Sequence, residues 1–152
     1  LSVDPYRLIV SGRTKHFISA FGEHVIGEEV EYSMLKVSEE MNVQITEFTV
    51  APFVSSDQGK SYHEWFVEFE QSPASLGEFA ARLDIALRQK NVYYDDLIGG
   101  SILKPLKLTP VRKNGFIDYM KSIGKLGGQN KVPRLSNDRK IADELIKWTE
   151  NH

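Results

Sequence analysis

The chain has 152 residues, of which 41% are hydrophobic and 26% are charged, and it contains no cysteine. This length and composition are typical of one globular domain with its own core, and they exclude a disordered chain. No apolar run reaches the roughly 18 residues of a membrane-spanning helix, and the first residues lack the basic and apolar regions of a signal peptide. Without cysteine, disulfides and thiol chemistry are excluded, and we expect a cytoplasmic protein with no membrane partner.

The charge is unevenly distributed along the chain, although its net value is only −2. Residues 1–76 contain 5 Lys or Arg and 12 Asp or Glu, whereas residues 77–152 contain 14 and 9. The cations are concentrated from Lys104 to Lys140, a segment with only two acidic residues. Such a field attracts phosphate and other anions. Nucleic acid is not expected as a partner, because the segment has no nucleic-acid-binding motif and few interleaved aromatic residues. A solvated basic face without a ligand is the simpler alternative.

The first predicted element in chain order is an apolar strand at Tyr6–Val10. A charged run bounded by Gly12 and Gly22 follows it, and a long helix is predicted directly afterwards, beginning at Gly22 and Glu23. A junction between two such unlike segments is typical of a hinge. A carboxylate at a helix N-terminus gains ~0.3 to 1 kcal/mol from the helix dipole, so helix capping alone would explain Glu23.

The middle of the chain predicts a scaffold of one helix, two strands and a second helix. Apolar residues spaced four, four, three and four apart form one face of the first helix: Ile26, Val30, Met34, Val37 and Met41. Residues 44–54 and 61–70 are rich in β-branched and aromatic residues and predict strands joined by a hairpin turn at residues 57–59. Ser75 is the predicted N-cap of the second helix.

The last third predicts one more strand and two shorter helices. The strand is expected at Lys107–Val111, and the helices after Asn114 and after Ser136 or Asn137. Together these elements predict an α+β fold, in which helices pack on one face of a small, mostly antiparallel sheet.

Other kinds of site find no support in the sequence. The four histidines lack metal-ligand spacing, and the adjacent Asp95 and Asp96 are better explained by an exposed turn than by a cation site. The sequence has no Gly-x-Ser-x-Gly elbow, phosphate-binding loop or dinucleotide fingerprint. The chain alone is therefore expected to lack most of an active site.

Two sequence blocks resemble one known family. Residues 11–25, Ser-Gly-Arg-Thr-Lys-His-Phe-Ile-Ser-Ala-Phe-Gly-Glu-His-Val, resemble the hinge motif of the acyl-adenylate-forming superfamily. Within that superfamily, their sequence most resembles the motif of the auxin-responsive Gretchen-Hagen-type acyl acid amido synthetases and their bacterial relatives. Residues 128–134, Gly-Gln-Asn-Lys-Val-Pro-Arg, are similar to the Lys-x-Pro-Arg ending of that branch.

The resemblance implies an ATP-dependent ligase that works in two steps. A carboxylic acid attacks ATP to give an acyl-adenylate and pyrophosphate, and an amine, usually an amino acid, then displaces AMP to give an amide. An N-terminal domain outside this chain would hold most of the ATP, the Mg²⁺ and the acid. Residues 1–14 would be the end of that domain and the hinge, and residues 15–152 the C-terminal mobile domain. The chain begins without Met and within a motif, so we expect it to be a piece of a longer protein and inactive alone.

The resemblance also implies roles for individual residues near the hinge. Lys15 would be the pivot around which the domain rotates between the two half-reactions. Arg13 would bind the nucleotide through its ribose or phosphates. Ser19, Gly22 and Glu23 would line the path of the incoming nucleophile in the second half-reaction.

The second block implies the catalytic lysine of the first half-reaction. Lys131 would bridge the acyl carboxylate and the departing phosphate and stabilise the charge that develops there. The more general Gly-Lys signature of the superfamily is replaced here by Asn130 and Lys131, so Lys125 is the reserve candidate. Arg134 would bind the nucleotide or hold its loop in place.

Two alternatives remain at the level of sequence. In the first, the same adenylation is followed by transfer of the acyl group to a thiol such as coenzyme A. In the second, the chain is a non-catalytic α+β binding module with an anion-attracting basic face.

Overall fold

The computed structural model describes residues 17–18, 20–57, 59–124 and 132–149. The strands in these residues are β1 (Phe17–Ile18), β2 (Val25–Ile26), β3 (Gln44–Phe53), β4 (Tyr62–Gln71) and β5 (Lys107–Pro110). The helices are α1 (Gly27–Glu40), α2 (Leu76–Lys90), α3 (Val92–Gly99), α4 (Gly115–Ser122) and α5 (Lys140–Leu145), which a 3₁₀ turn at Ile146–Trp148 extends. None of the helices in the described residues is long and apolar enough to cross a membrane.

The main sheet has three strands in the order β3-β4-β5. β3 and β4 are antiparallel, as the hairpin pattern predicted, and Phe48 lies opposite Val67. β5 is parallel to β4, with Leu108 opposite Trp65. β1 and β2 form a separate antiparallel pair. The predicted α+β class is confirmed, and the parallel third strand makes the sheet mixed.

Alternation along β4 divides the core into two layers. Trp65 and Val67 belong to the cluster that contains the apolar faces of α1 and α2. Phe66, on the opposite face of the strand, belongs to the cluster that contains those of α4 and α5. Side chains on a strand alternate between its two faces, so each layer receives every second residue. The prediction of helices on one face therefore describes α1 and α2, and the structure adds a second helical layer behind the sheet.

The predicted apolar face of α1 is confirmed at its three central positions, whereas Ile26 precedes the helix and is exposed. Val30, Met34 and Val37 are buried in α1. In α2, Ser75 is the N-cap, and its hydroxyl accepts a hydrogen bond from the backbone N–H of Glu78 at 3.1 Å. These cues are local in sequence, which is why periodicity and capping chemistry identified them.

The prediction that Gly22 and Glu23 begin the first long helix is wrong. Gly22 and His24 have φ angles of +89° and +48°, in the left-handed region that ends regular helix. The chain turns here from β1 into β2, and α1 begins only at Gly27. Glu29 supplies the first-turn carboxylate of α1, and its Oε1 accepts a hydrogen bond from the backbone N–H of Ile26 at 3.0 Å.

The exposed turn predicted at Asp95 and Asp96 is also wrong, since both residues lie in α3. Asn91 caps this helix, and its side-chain Oδ1 accepts a hydrogen bond from the backbone N–H of Tyr94 at 2.9 Å. Asp95 forms an ion pair with Arg88 in α2 at 2.6 Å. The N-cap at Asn91 is the sequence signal that would have identified this helix.

The N-termini of the two later helices are capped by other side chains than those predicted. Asn114 precedes α4 with a φ of +67° and makes no side-chain capping hydrogen bond. Instead, the carboxylate of Glu68 on β4 accepts hydrogen bonds from the backbone N–H groups of Asn114 and Phe116, at 2.9 and 3.2 Å. At the start of α5, Asp138 accepts from the backbone N–H of Lys140 at 3.0 Å.

Candidate functional site

A buried pair of ionisable residues lies between the β1–β2 turn and the sheet. Nε2 of His63, on β4, is 2.6 Å from Oε2 of Glu23, and both side chains are fully buried. The other carboxylate oxygen of Glu23 accepts a hydrogen bond from the backbone N–H of Phe21 at 2.9 Å. The pair therefore holds the turn between β1 and β2 against β4, the central strand of the sheet.

The charge state of Glu23 follows from these contacts. Burial opposes its ionisation, but the hydrogen bond and charge of His63, with the N–H of Phe21, outweigh it and lower the pKa of Glu23. Nδ1 of His63 is buried and has no hydrogen-bond partner among the described residues. A buried ring nitrogen normally has a hydrogen-bond partner. Because Nδ1 has none among the described residues, the imidazole is held by its Nε2 contact and by packing.

Asn91 holds the same turn from the other side. Its side-chain amide nitrogen lies 3.1 Å from the backbone oxygen of Glu23 and 3.3 Å from that of His24. The same nitrogen lies 3.1 Å from Oε1 of Glu29. Asn91 is itself buried, and its side chain caps the N-terminus of α3. One amide thus ties together the turn, the start of α1 and the start of α3.

A second buried polar contact supports His63. The ring of Tyr94 lies 5.1 Å from the His63 ring. The hydroxyl of Tyr94 donates to Oδ1 of Asp84 at 2.6 Å, and the same oxygen accepts from the backbone N–H of Leu106 at 3.2 Å. Burial, together with the neighbouring carboxylate of Asp84, raises the pKa of Tyr94 well above its usual value. Tyr94 is therefore a neutral donor, and its ring packs against that of His63.

Arg134 occupies a different place, at the edge of β3. Its guanidinium donates to Glu47, to Oε2 of Glu31 at 3.2 Å and to the backbone oxygen of Phe48 at 3.2 Å. Burial opposes its charge, but the hydrogen bonds to Glu47 and Glu31 outweigh that effect and raise the pKa of Arg134. The backbone N–H of Val50 donates to the backbone oxygen of Arg134, and the backbone N–H of Ser136 donates to that of Val50, both at 2.9 Å. These contacts show that Arg134 holds the 134–136 segment against β3.

A groove of about 590 Å³ lies beside Arg134, between α1 and the first half of β3. Its walls combine apolar side chains, such as Met34 and Phe48, with the acidic Glu28, Glu31 and Glu47. Because Arg134 is paired with two of these carboxylates, the described groove presents no free cation to a phosphate.

Most of the residues implied by the sequence resemblance lie outside the described residues. These are Arg13, Lys15, Ser19, Lys125 and Lys131. Their predicted roles stay predictions, as do nucleotide binding by Arg134 and the role of Gly22 and Glu23 in the nucleophile's path. Gly22 is exposed, whereas the carboxylate of Glu23 points into the domain towards His63.

The described residues also limit where a metal could bind. In residues 17–18, 20–57, 59–124 and 132–149, no group of three or more His, Asp or Glu is arranged to hold a metal ion. The side chains in these ranges therefore form no ligand set that would hold Mg²⁺ without further oxygen donors.

Sequence reasoning missed His63 and Asn91 as parts of the site. Histidine spacing tests His63 only as a metal ligand, and none of the sequence patterns above marks Asn91. The place of His63 in a strand predicted to be buried was the available signal, because a buried imidazole needs a partner. Its partner lies 40 residues away in sequence, so no local pattern would have identified Glu23.

Comparison with known families now identifies the domain. The model of the GH3 family C-terminal domain matches residues 28–140, which is most of the chain. The chain therefore belongs to the GH3 family, as its C-terminal domain. This confirms the family indicated by the two sequence blocks, while the closeness to bacterial members stays a prediction. No curated protein matches the chain.

Two solved structures share this fold. One, described as "GH3.15 acyl acid amido synthetase", has a TM-score of 0.69 and 16% identity, over 89% of this chain and 25% of that one. Another, "AtGH3.15 acyl acid amido synthetase in complex with 2,4-DB", has a TM-score of 0.70 and 14% identity, over 90% and 26%. The chain thus spans about a quarter of the length of these structures. At such identities the similarity establishes the fold alone.

Proposed function

We propose that the chain is the C-terminal domain of an ATP-dependent acyl acid amido synthetase. The observation that carries the proposal is the match of the GH3 C-terminal domain to residues 28–140. The fold shared with two structures described as acyl acid amido synthetases supports it. The enzyme would join a carboxylic acid to an amino acid through an acyl-adenylate.

In the first half-reaction, the carboxylate oxygen of the acid attacks the α-phosphorus of ATP, and pyrophosphate leaves. Lys131 would donate to the acyl carboxylate and the phosphate, where negative charge must be neutralised in the transition state. Arg13 would position the nucleotide, with Arg134 holding the loop or contacting phosphate. Mg²⁺, held by ligands in the N-terminal domain, would neutralise the phosphate charges.

In the second half-reaction, the amine nitrogen attacks the acyl carbon, AMP leaves with the electron pair of the broken bond, and the amine loses a proton. The domain would first rotate about Lys15, which brings the segment from Ser19 to Glu23 towards the bound adenylate. The charged, glycine-bounded run of residues 12–22 supports a hinge at this place.

The test is the product formed by the complete protein that contains this domain. The protein is incubated with ATP, Mg²⁺, a panel of aryl and aliphatic acids, and one acceptor at a time: amino acids, hydroxylamine or coenzyme A. We expect amino-acid amides and stoichiometric AMP, measured by mass spectrometry. Thioester in place of amide would overturn amide synthesis in favour of thiol transfer. No AMP with any acid would overturn the proposed function.

The isolated chain provides the control for domain organisation. Because the larger domain would hold most of the ATP, the 152-residue chain should bind ATP poorly and form no AMP. Sub-micromolar ATP binding by the isolated chain in calorimetry would contradict this division of labour.

A further inference from the structure

The turn between β1 and β2 is held by side chains from two other parts of the fold. His63 on β4 contacts the Glu23 carboxylate at 2.6 Å, and Asn91 before α3 contacts the backbone oxygens of Glu23 and His24. Both residues are buried, His63 completely and Asn91 to 5% exposure. The turn has no regular structure of its own between Phe21 and His24.

This turn needs external support because its backbone conformation is unfavourable. His24 is a non-glycine residue with a φ of +48°, in a region that such residues rarely occupy. Backbone in sparsely populated conformations persists only when its surroundings hold it there. The hydrogen bonds from Asn91 and the Glu23–His63 pair act on this stretch from the inside.

The segment presents alternate residues to the inside and the outside. Glu23 points inward, while Ala20, Gly22 and His24 are exposed. If the Glu23 carboxylate left its pocket, the exposed residues on both sides of it would move with it. The buried contacts therefore determine which surface the turn offers to another domain.

We propose that His63 and Asn91 are positioning residues of the enzyme: they hold the turn from Phe21 to His24 in the one conformation that amide formation requires. This inference rests on the proposed function, in which this turn faces the bound adenylate during the second half-reaction. Neither residue touches substrate. They act through Glu23 and the backbone, and adenylation does not depend on them.

The test separates the two half-reactions in the complete protein. His63→Leu introduces an apolar side chain of similar size that cannot donate to Glu23. His63→Gln retains an N–H donor. Glu68→Gln is the matched control, because Glu68 is a buried carboxylate contact on the same strand that supports α4 and not the turn. For each variant, acid-dependent ATP–pyrophosphate exchange and kcat for amide formation are measured at 25 °C.

We expect His63→Leu to keep exchange within about threefold of the unsubstituted protein while amide formation falls at least tenfold. His63→Gln should restore amide formation to within threefold, and Glu68→Gln should leave the ratio of the two activities unchanged. A merely structural role predicts that His63→Leu and Glu68→Gln lower both activities in parallel. That result, or undiminished amide formation in His63→Leu, would overturn the proposal.

A second measurement tests the hold on the turn without any activity. Amide hydrogen exchange of Phe21, whose N–H donates to Glu23, is followed in the 152-residue chain. It should be at least tenfold faster in His63→Leu and unchanged in Glu68→Gln. An unchanged Phe21 rate in His63→Leu would refute the hold itself. If the unsubstituted protein shows no acid-dependent turnover, the proposed function and the catalytic part of this inference fail together, while the Phe21 rate still decides whether His63 holds the turn.

Discussion

Glu23 and His63 are 40 residues apart in sequence, yet their side chains meet at 2.6 Å with no exposure to solvent. Burial opposes the ionisation of Glu23, but the hydrogen bond and charge of His63 outweigh it, so the pKa of Glu23 is lowered in the folded chain. A group with a lowered folded-state pKa stabilises the fold above its unfolded pKa and loses that contribution as the pH falls through the folded value.

The first prediction follows from that sign. Glu23→Gln removes the charge and should lower the free energy of unfolding by about 1.5 to 3 kcal/mol at pH 7, the usual range for a hydrogen bond to a charged group. The difference from the unsubstituted chain should persist down to about pH 4.3, the ordinary pKa of Glu, and shrink below it. Urea unfolding at a series of pH values measures this.

Glu144→Gln is the control for Glu23→Gln, because Glu144 is 52% exposed and forms a surface ion pair with Lys147. It should change stability by less than about 0.5 kcal/mol. A Glu23→Gln deficit that stays constant between pH 7 and pH 3 would show that the charge of Glu23 does not contribute.

Glu68 gives the second prediction. Its carboxylate supplies the N-terminal cap of α4, which Asn114 does not. Glu68→Gln leaves one of two backbone N–H groups without an acceptor, so we expect a loss of about 1 to 3 kcal/mol. Glu70→Gln, at an exposed position on the same strand, should be close to neutral. Equal thermal midpoints for the two variants would contradict the cap.

Gly115 gives the third prediction, at the first position of α4. A Cβ there would lie 2.4 Å from Cγ1 of Val111 and 3.0 Å from the backbone oxygen of Trp148. Gly115→Ala should therefore destabilise the chain by about 1 to 3 kcal/mol, as overpacking does. Gly27→Ala, where nothing lies within 4 Å, should be neutral or stabilise by up to about 1 kcal/mol. Thermal unfolding compares them, and equal effects would refute the packing argument.

Arg134 gives the fourth prediction, which separates its two proposed roles. Its guanidinium is shared by Glu47, Glu31 and the Phe48 backbone. A double-mutant cycle with Arg134→Gln and Glu47→Gln should show a coupling of about 0.5 to 3 kcal/mol, as contacting residues do. In the complete protein, a loop-holding role predicts that Arg134→Gln and Glu47→Gln raise KM for ATP by similar factors. A rise confined to Arg134→Gln would instead indicate direct contact with the nucleotide.

Local patterns predicted the parts of the fold that depend on local contacts. The apolar face containing Val30, Met34 and Val37 specified α1, and the Ser75 cap specified the start of α2. Alternating residues in the two strands specified the β3–β4 hairpin. Each of these features is determined by residues within a few positions of one another, which is the range that periodicity covers.

Long-range features were beyond the reach of the same patterns. The parallel pairing of β5 with β4 joins Leu108 to Trp65 through an intervening pair of helices. The cap of α4 comes from Glu68, on a strand more than forty residues earlier. The local dipole argument placed Glu23 at a helix start, but its burial against His63 depends on the tertiary fold. The local geometry at Gly22 and Glu23 was therefore predicted wrongly, and their role in the second half-reaction stays a prediction.

The most direct test of the proposed function is ATP–pyrophosphate exchange by the complete protein across the acid panel, with Lys131→Ala and Lys121→Ala compared. Lys121 is an exposed lysine in the same basic segment, near the end of α4. We predict acid-dependent exchange that falls at least a hundredfold in Lys131→Ala and stays within twofold in Lys121→Ala. Exchange that survives in Lys131→Ala and is lost in Lys125→Ala would transfer the catalytic role to Lys125. No exchange with any acid would contradict adenylation and favour a non-catalytic binding domain.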